Sequence, residues 1–298
     1  MASSSSSSNK FYHIRSNSLP SRPHPVIMQL EKDLHSLRAS ETTCATSSLA
    51  SKLHSLQDLH ECADTLLSLP LVQKAFTQKN GQRWVDELLD GTLRLLDMCS
   101  TAKNGLLQTK DALQELLSGM RRRKGGENAL ADEIRKYLSL RKSVKKAMKK
   151  AVSSLKSRKF ESTSHVVDDE AATFVSLLME VEAASSAVLG SVTCLITSSR
   201  RRSSSCKSPS IISKLMHKRT VALEMEKADL NELAKQDIAL ESLVSRRTSK
   251  VHDLIQVEQL QNNLNILESD IENLEDGLES LSRRLIKSRV SLLNILSN

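Results

Sequence analysis

The stretch that decides the fold is VEQLQNNLNILESDIENLEDGLESLSRRL, residues 257–285. Its apolar residues recur at alternating intervals of three and four positions: Val257, Leu260, Leu264, Leu267, Ile271, Leu274, Leu278, Leu281 and Leu285. This spacing places one apolar row along a single side of an α-helix, the side that packs against other helices. The row therefore predicts a packing surface in a helical protein, and it predicts no reaction.

The rest of the chain also favours helices. Only seven of the 298 residues are aromatic, so the core must consist mainly of Leu, Val, Ile and Met, which favours helices over sheets. The five prolines lie at positions 20, 23, 25, 70 and 209, and long helices are therefore permitted elsewhere. We predict an all-α fold, a bundle of long antiparallel helices that ends in a heptad-patterned helix at 251–297.

Composition divides the chain into a tail and one helical domain. Residues 1–25 are rich in serine and proline and predict a disordered tail, whereas residues 26–298 predict the bundle. Within the bundle we predict a basic helix at 127–159 and a loop at 200–210. The uncharged stretch at 183–199 is shorter than the about 20 apolar residues that a membrane span needs, and it holds several Ser and Thr. A buried bundle helix is therefore favoured over a membrane-inserting one.

Flanking charges argue against a parallel coiled-coil homodimer. With Val257 at heptad position a, an in-register parallel pair would place Asp270 opposite Glu275 and Arg284 opposite Arg289. Both contacts are repulsive. The apolar row is therefore predicted to face other helices of the same chain.

Positive charge is concentrated in one segment. Residues 121–159 contain fifteen Lys and Arg against three acids, whereas the whole chain has a net charge of only +8. Basic helices of this kind bind anionic partners. The candidate residues for binding a protein partner or lipid are Arg135, Lys136, Arg141, Lys142, Lys145, Lys146, Lys149 and Lys150.

Several interpretations of this basic segment stay open. Its charges are solvated, or they pair inside the bundle with a block of six acids between residues 268 and 279. Alternatively, the segment binds an anionic membrane or an acidic protein. Nucleic acid is disfavoured, because Tyr137 and Phe160 are the only rings near the segment that could stack on bases.

No pattern in the sequence predicts catalysis, a cofactor or a metal site. The glycine-rich signatures of phosphate and nucleotide binding are absent, as are the serine-hydrolase and zinc-protease signatures. The five cysteines include no Cys-x-x-Cys pair and predict reduced thiols of an intracellular protein, and the histidines are scattered. We therefore predict a protein that is not an enzyme and takes no cofactor.

The most specific short motif lies in the tail, where residues 15–20 read RSNSLP. It matches the Arg-Ser-x-Ser-x-Pro pattern that 14-3-3 proteins bind when the second serine is phosphorylated, so Arg15, Ser18 and Pro20 form a candidate phosphopeptide motif. Phosphate at Ser18 adds nearly two negative charges that an arginine cluster can bind. Ser204 and Ser249 follow paired arginines and are further candidate phosphorylation sites.

Three longer stretches are similar to a known plant family. They are the tail from Tyr12 to Pro25, the stretch from Asp86 to Cys99, and the stretch from Leu285 to Leu296. From Phe11 to its C-terminus the chain resembles the plant-specific BYPASS-related family of unknown function. The resemblance implies a helical protein linked to root and shoot development, without an established reaction or cofactor.

We therefore expect a protein-interaction adaptor in plant organ development, regulated by phosphorylation of its tail and located in the cytoplasm. The alternative is a peripheral membrane protein that uses residues 135–159 on anionic lipid. A third possibility is a plastid protein, because the serine-rich, weakly basic N-terminus has no acid before Glu31, as in a chloroplast transit peptide.

Overall fold

The computed structural model describes residues 24–39, 46–77, 81–122, 126–156, 170–198, 231–245 and 250–297. These residues form eight helices: α1 (Pro25–Ala39), α2 (Thr46–Leu67), α3 (Pro70–Thr77), α4 (Gly81–Arg122), α5 (Gly126–Lys156), α6 (Glu170–Thr197), α7 (Glu232–Ser245) and α8 (Lys250–Ser297). The described part contains no strand, which confirms the all-α prediction. The predicted tail, up to residue 23, and the predicted loop at 200–210 lie outside the described residues.

The positions of the prolines determine where α1 and α3 begin and which parts of the chain can form long helices. Pro25 and Pro70 are the first residues of α1 and α3, positions where the missing N–H costs nothing. The ranges without proline contain α4, with 42 residues, and α8, with 48. At a rise of about 1.5 Å per residue, each of these two helices is more than 60 Å long.

Helix α8 packs against both α2 and α4. The heptad row supplies its buried face: Leu260, Leu264, Leu267, Ile271, Leu274, Leu278, Leu281 and Leu285 are all buried. Side-chain contacts fix the directions of the three helices. Asp270 accepts a hydrogen bond from Thr46 and Glu61 pairs with Arg284, so α2 runs parallel to α8. Helix α4 runs antiparallel to α8, because its successive contacts meet α8 in reverse order.

Helices α5 and α7 extend the bundle beyond α4 and α6. Helix α5 packs on α4, α6 and α7. It runs antiparallel to α4, since Lys136 pairs with Glu115 and Met148 lies against Gly105. Helix α6 contacts α1, α2, α3, α4, α5 and α7.

Helix α6 is the one described helix long and apolar enough to cross a membrane, over Ala172–Thr197. Half of the residues in its most apolar stretch are buried inside the bundle. Val188, Leu189 and Val192 are each less than 5% exposed. The core helix of a helical bundle can have the same length and apolar composition, and α6 packs like such a core helix.

Candidate functional site

Helix α5 buries one side and exposes the opposite one. Its buried row is Ile134, Tyr137, Arg141, Val144 and Met148, at intervals of three and four residues. Such a row normally contains only apolar residues. Arg141 occupies its middle position with a side chain that is 1% exposed.

The Arg141 guanidinium is held by groups from three other helices. It donates to both carboxylate oxygens of Asp237 in α7, each at 3.3 Å, and to the hydroxyl of Thr109 in α4 at 3.2 Å. It also donates to the carbonyl oxygen of Ile196 in α6 at 3.3 Å. Lys145 Nζ lies 2.7 Å from the same carboxylate. A buried charge needs partners of this kind, because desolvation without them is very costly.

Tyr137 lies beside this ion-pair cluster, which affects the pKa of its hydroxyl. Burial raises the pKa of its hydroxyl far above the ordinary value, and the negative charge of Asp237 raises it further. Asn231 closes the same region, donating to the carbonyl oxygens of Cys194 and Leu195 and accepting from the amide of Ala234 at 2.8 Å. It thereby caps α7 and ties its start to the end of α6.

The prediction that Arg141 belongs to a binding surface is wrong, since its side chain faces the interior. Lys145 is partly withdrawn as well, with a side chain that is 26% exposed and directed at Asp237. Neither Asp237 nor the role of Arg141 was predicted. The sequence did contain a signal for this pair. Arg141 and Asp237 each interrupt a row of apolar residues on their helix, and a charged residue in such a row needs a buried partner.

The remaining predicted residues of α5 are exposed. Arg135 pairs with Asp132 at 2.6 Å, and Lys136 pairs with Glu115 of α4, whose hydrogen bond raises the pKa of Lys136. The other four are Lys142, Lys146, Lys149 and Lys150, which we call the basic face. Within the described residues, none of these four forms an ion pair.

The acidic block of α8 does not neutralise the basic face, which corrects one interpretation of the sequence. Glu279 lies 2.5 Å from Lys103, and Glu275 pairs with Lys110, both lysines belonging to α4. Glu268 accepts a hydrogen bond from Gln114. These contacts lower the pKa of Glu279 and raise that of Lys110. The acids thus fasten α8 to α4 and leave the lysines of α5 exposed.

A cavity of about 40 Å³ lies among α2, α4, α6 and α8. Leu67, Leu88 and Leu292 supply apolar walls, and His60 and Glu182 supply polar ones. A volume of this size holds a few water molecules. It is far below the several hundred Å³ of a cofactor pocket.

His60 and Ser185 resemble a base and a nucleophile, since Nε2 and Oγ are 2.9 Å apart. The serine hydroxyl, however, already donates to the carbonyl oxygen of Val181 at 2.7 Å. Oγ is therefore the acceptor from an Nε2–H group, and the ring does not act as its base. Both side chains are buried, and burial lowers the pKa of His60 to about 4. The pair is a satisfied core contact.

Other predicted features are placed as follows. Within the described ranges, no three His, Cys, Asp or Glu side chains come together as a metal site requires. Cys62, Cys99 and Cys194 are free thiols, and burial raises the pKa of Cys99 to about 12. The motif residues Arg15, Ser18 and Pro20 and the candidate sites Ser204 and Ser249 lie outside the described residues.

Comparison with known protein families identifies a relationship. The model of the family described as Protein BPS1 matches residues 52–295. This range begins inside α2, ends within the last turn of α8 and includes all of α5. No curated protein and no solved structure matches the chain.

Proposed function

The chain belongs to the BPS1 family, as its resemblance to the BYPASS-related proteins predicted, and from this premise we propose that it is a non-enzymatic adaptor in plant organ development. Membership of the family suggests a role in plant development. We place the adaptor's contact with a partner at the basic face of α5. The partner is a protein with an acidic surface.

The observation that carries this proposal is the set of four lysines that form no ion pair with any residue the structure describes. Lys142, Lys146, Lys149 and Lys150 lie within about 12 Å along the helix axis, at a rise of 1.5 Å per residue. They project opposite the buried row that contains Arg141. Because no acid of the described residues pairs with them, we take their charge to be available to a complementary surface, which steers association and selects the partner.

The burial of α5 favours a protein over a membrane. An amphipathic helix that binds a bilayer sinks an apolar side into the lipid. The apolar side of α5 is covered by α4, α6 and α7. Contact through the basic face is therefore electrostatic and does not insert apolar side chains into the partner. The acidic surface of a folded protein can make such a contact.

Superficial binding to anionic lipid is the second candidate, favoured by the same density of charge. A lysine near an anionic leaflet contributes about 1 kcal/mol. Four together give weak binding that salt abolishes.

A variant with four substitutions tests both candidates: Lys142, Lys146, Lys149 and Lys150 are changed to Gln. The matched control removes four exposed cations from other helices, Lys32, Lys74, Arg122 and Lys235. Proximity labelling in plant tissue should lose its protein partners with the α5 variant and keep them with the control. Equal labelling by the two variants would contradict the adaptor contact.

Flotation with liposomes separates the candidates. Vesicles of phosphatidylcholine with phosphatidylserine should leave the wild-type protein at the bottom of the gradient if the adaptor proposal is correct. Binding at low salt that the α5 variant lacks, and the control keeps, would establish the lipid candidate instead.

Two further parts of the proposal concern the tail. Phosphorylated Ser18 recruits a 14-3-3 protein, and the support for this is the RSNSLP motif. The protein works in the cytoplasm. A fusion of residues 1–40 to a fluorescent reporter should give a diffuse cytosolic signal, and import into plastids would overturn this location.

A further inference from the structure

An exposed serine stands at the end of the basic face. Ser153 lies in the last turn of α5, three residues before the final residue of the helix, Lys156, and its side chain is exposed. Its hydroxyl donates to the carbonyl oxygen of Lys150 at 2.8 Å, one turn back in the same helix. In the part of the chain that the structure describes, this hydroxyl thus binds only its own helix.

Ser153 lies on the same side of α5 as the basic face. It follows Lys149 by four residues and Lys150 by three, the spacings of neighbours on a helix surface. It follows Lys146 by seven residues, which is nearly two full turns. At a rise of 1.5 Å per residue, Ser153 lies about 5 Å along the axis from Lys150 and about 11 Å from Lys146. A group attached to the Ser153 hydroxyl is therefore within the basic face.

The residues before Ser153 suit a basophilic kinase. Residues 149–153 read KKAVS, with lysines three and four positions before the serine. Kinases of this class select their substrates by the charge pattern around the target and bind basic residues upstream of it. The same two lysines can therefore attract the kinase and, after the reaction, the phosphate.

The end of α5 is weakly held by the bundle. Met148 is the last buried residue of the helix among those whose side chains are described, and the side chains from Lys149 to Ser153 are exposed or half-buried. The last four carbonyl groups of a helix have no partner within it, so its last turn opens readily. A kinase binds its substrate as an extended segment. The chain around Ser153 can extend in this way without uncovering the core.

Ser143 of the same helix lacks this freedom. It is also exposed and follows basic residues, Arg141 and Lys142. Its neighbours Arg141 and Val144 are buried, however, and three other helices hold the Arg141 guanidinium. Extending the chain at Ser143 would break the buried ion pair with Asp237. The fold therefore distinguishes two serines whose local sequences are both basic.

We propose that Ser153 is a phosphorylation site of a basophilic serine kinase, and that phosphate there prevents the basic face from binding its partner. The kinase transfers the γ-phosphoryl group of ATP. The bond from the serine Oγ to phosphorus forms while the bond to the β-phosphate oxygen breaks, ADP leaves with that electron pair, and the hydroxyl proton passes to the catalytic carboxylate of the kinase. The modification is independent of the adaptor contact, whereas its effect on a partner rests on the proposed function.

The charge of the phosphate is large enough to change the basic face. A phosphoserine carries about −1.5 to −2 charges at pH 7, whereas the four lysines carry one positive charge each. Its oxygens accept charge-assisted hydrogen bonds from Lys149 and Lys150, one turn back, and so occupy these two lysines. Only Lys142 and Lys146 then remain for the partner. The acids of the partner also meet a group of their own sign, which opposes association.

Kinase treatment of the full-length protein tests the site. The protein is incubated with a plant calcium-dependent protein kinase and ATP, and tandem mass spectrometry locates the phosphorylated residues. We expect phosphate on Ser153, its loss from that position in Ser153→Ala, and about tenfold less phosphate on Ser143 in the wild type. Absence of phosphate from Ser153, or equal phosphorylation of Ser143, would overturn the proposal.

Proximity labelling in plant tissue tests the effect on the partner. Ser153→Asp places a negative charge at the site, and Ser153→Asn is its neutral counterpart of the same size. We expect Ser153→Asp to reduce labelling of the protein partners about fivefold and Ser153→Asn to keep it. A second control is Ser55→Asp on α2, at an exposed serine that also donates to a carbonyl oxygen one turn back, and it should label like the wild type. Circular dichroism verifies that each variant remains helical.

The variant with four Lys→Gln substitutions keeps the two possible failures apart. If it loses the partners and Ser153→Asp keeps them, the effect of the phosphate is wrong and the adaptor contact stands. If it keeps the partners, the adaptor contact is wrong, and the kinase experiment still decides whether Ser153 is a modification site. Equal losses of labelling in Ser153→Asp and Ser153→Asn would show that charge is not the cause and would overturn the effect proposed for the phosphate.

Discussion

Arg141 of α5 and Asp237 of α7 form an ion pair inside the bundle, with Nη2 3.3 Å from Oδ2 and side chains only 1% and 8% exposed. The two residues are 96 positions apart in the chain. Helix α7 has only 14 residues, too few for a stable isolated helix. Its place in the fold therefore depends on this contact and on the packing of Leu233 and Leu240.

Removing the carboxylate should destabilise the protein strongly. Asp237→Ala leaves a buried guanidinium without its counter-ion, so we expect the free energy of unfolding to fall by about 3 to 5 kcal/mol. Urea denaturation followed by circular dichroism measures it. Glu241→Ala, at an exposed position of the same helix, is the control and should change stability by less than about 0.5 kcal/mol. Similar losses of unfolding free energy in both variants would show that the ion pair contributes no more to stability than an exposed side chain of α7.

Two glycines of α4 should respond to alanine in opposite directions. A Cβ at Gly105 would lie 2.7 Å from the Met148 sulfur, in the core, so we expect Gly105→Ala to destabilise by about 1 to 3 kcal/mol. A Cβ at Gly119 would meet only the flexible side chain of Glu133, at 3.1 Å. There the gain in helix propensity dominates, and Gly119→Ala should stabilise by about 0.5 to 1 kcal/mol. The same urea titration compares them, and a stabilising Gly105→Ala would contradict the packing.

Stability should fall as the pH decreases from about 6.5 towards 4, and His60 is the reason. Burial lowers the pKa of His60 from 6.5 to about 4. Between these two pH values the imidazole binds a proton in the unfolded chain but not in the folded protein. The loss attributable to His60 is up to about 1.4 kcal/mol per pH unit. Asp64 acts in the opposite direction, because burial raises the pKa of its carboxyl and protonation favours the fold.

The variant His60→Gln isolates this contribution, since glutamine cannot titrate and can still donate to Ser185. Urea titrations at pH 7, 6 and 5 should show a smaller loss of stability in the variant than in the wild type. If the two proteins lose stability in parallel, His60 is not the group responsible.

Phosphorylation should create a binding site for 14-3-3 in the tail. After treatment with a basophilic kinase, the wild-type protein should bind immobilised 14-3-3, and Ser18→Ala should not. Ser21→Ala changes a nearby serine outside the motif and should bind like the wild type. Dephosphorylation should release the protein, because the phosphate supplies the charge that the arginines hold.

The helices could be predicted where the cause is local. The apolar row from Leu260 to Leu285 is buried as predicted, because its period alone fixes which side of α8 is apolar. Glycine was the weaker guide. Glycine disfavours the interior of a helix, yet α4 runs unbroken from Gly81 to Arg122 with Gly105 and Gly119 inside it. The cost of about 1 kcal/mol for a helical glycine is offset by the packing of the bundle.

Charge was harder to place than apolarity. Arg141 stands in a run of basic residues, and its burial depends on Asp237 and Thr109, which the sequence brings near only through the tertiary fold. The partners of the acidic block were mistaken for the same reason. Glu275 and Glu279 contact lysines of α4, more than 160 residues away, and nothing in the local pattern distinguishes those lysines from the ones on α5.

The parallel packing of α8 on α2 has a consequence during translation. Thr46 and its partner Asp270 are 224 residues apart, and at 5–20 residues per second the interval between their syntheses is roughly 10 to 45 seconds. For that time the leucines of α2 and α4 that α8 covers are made but remain without their cover. We therefore expect the nascent chain to be a substrate for chaperones, and we expect a product truncated before α8 to be degraded because its leucines are uncovered.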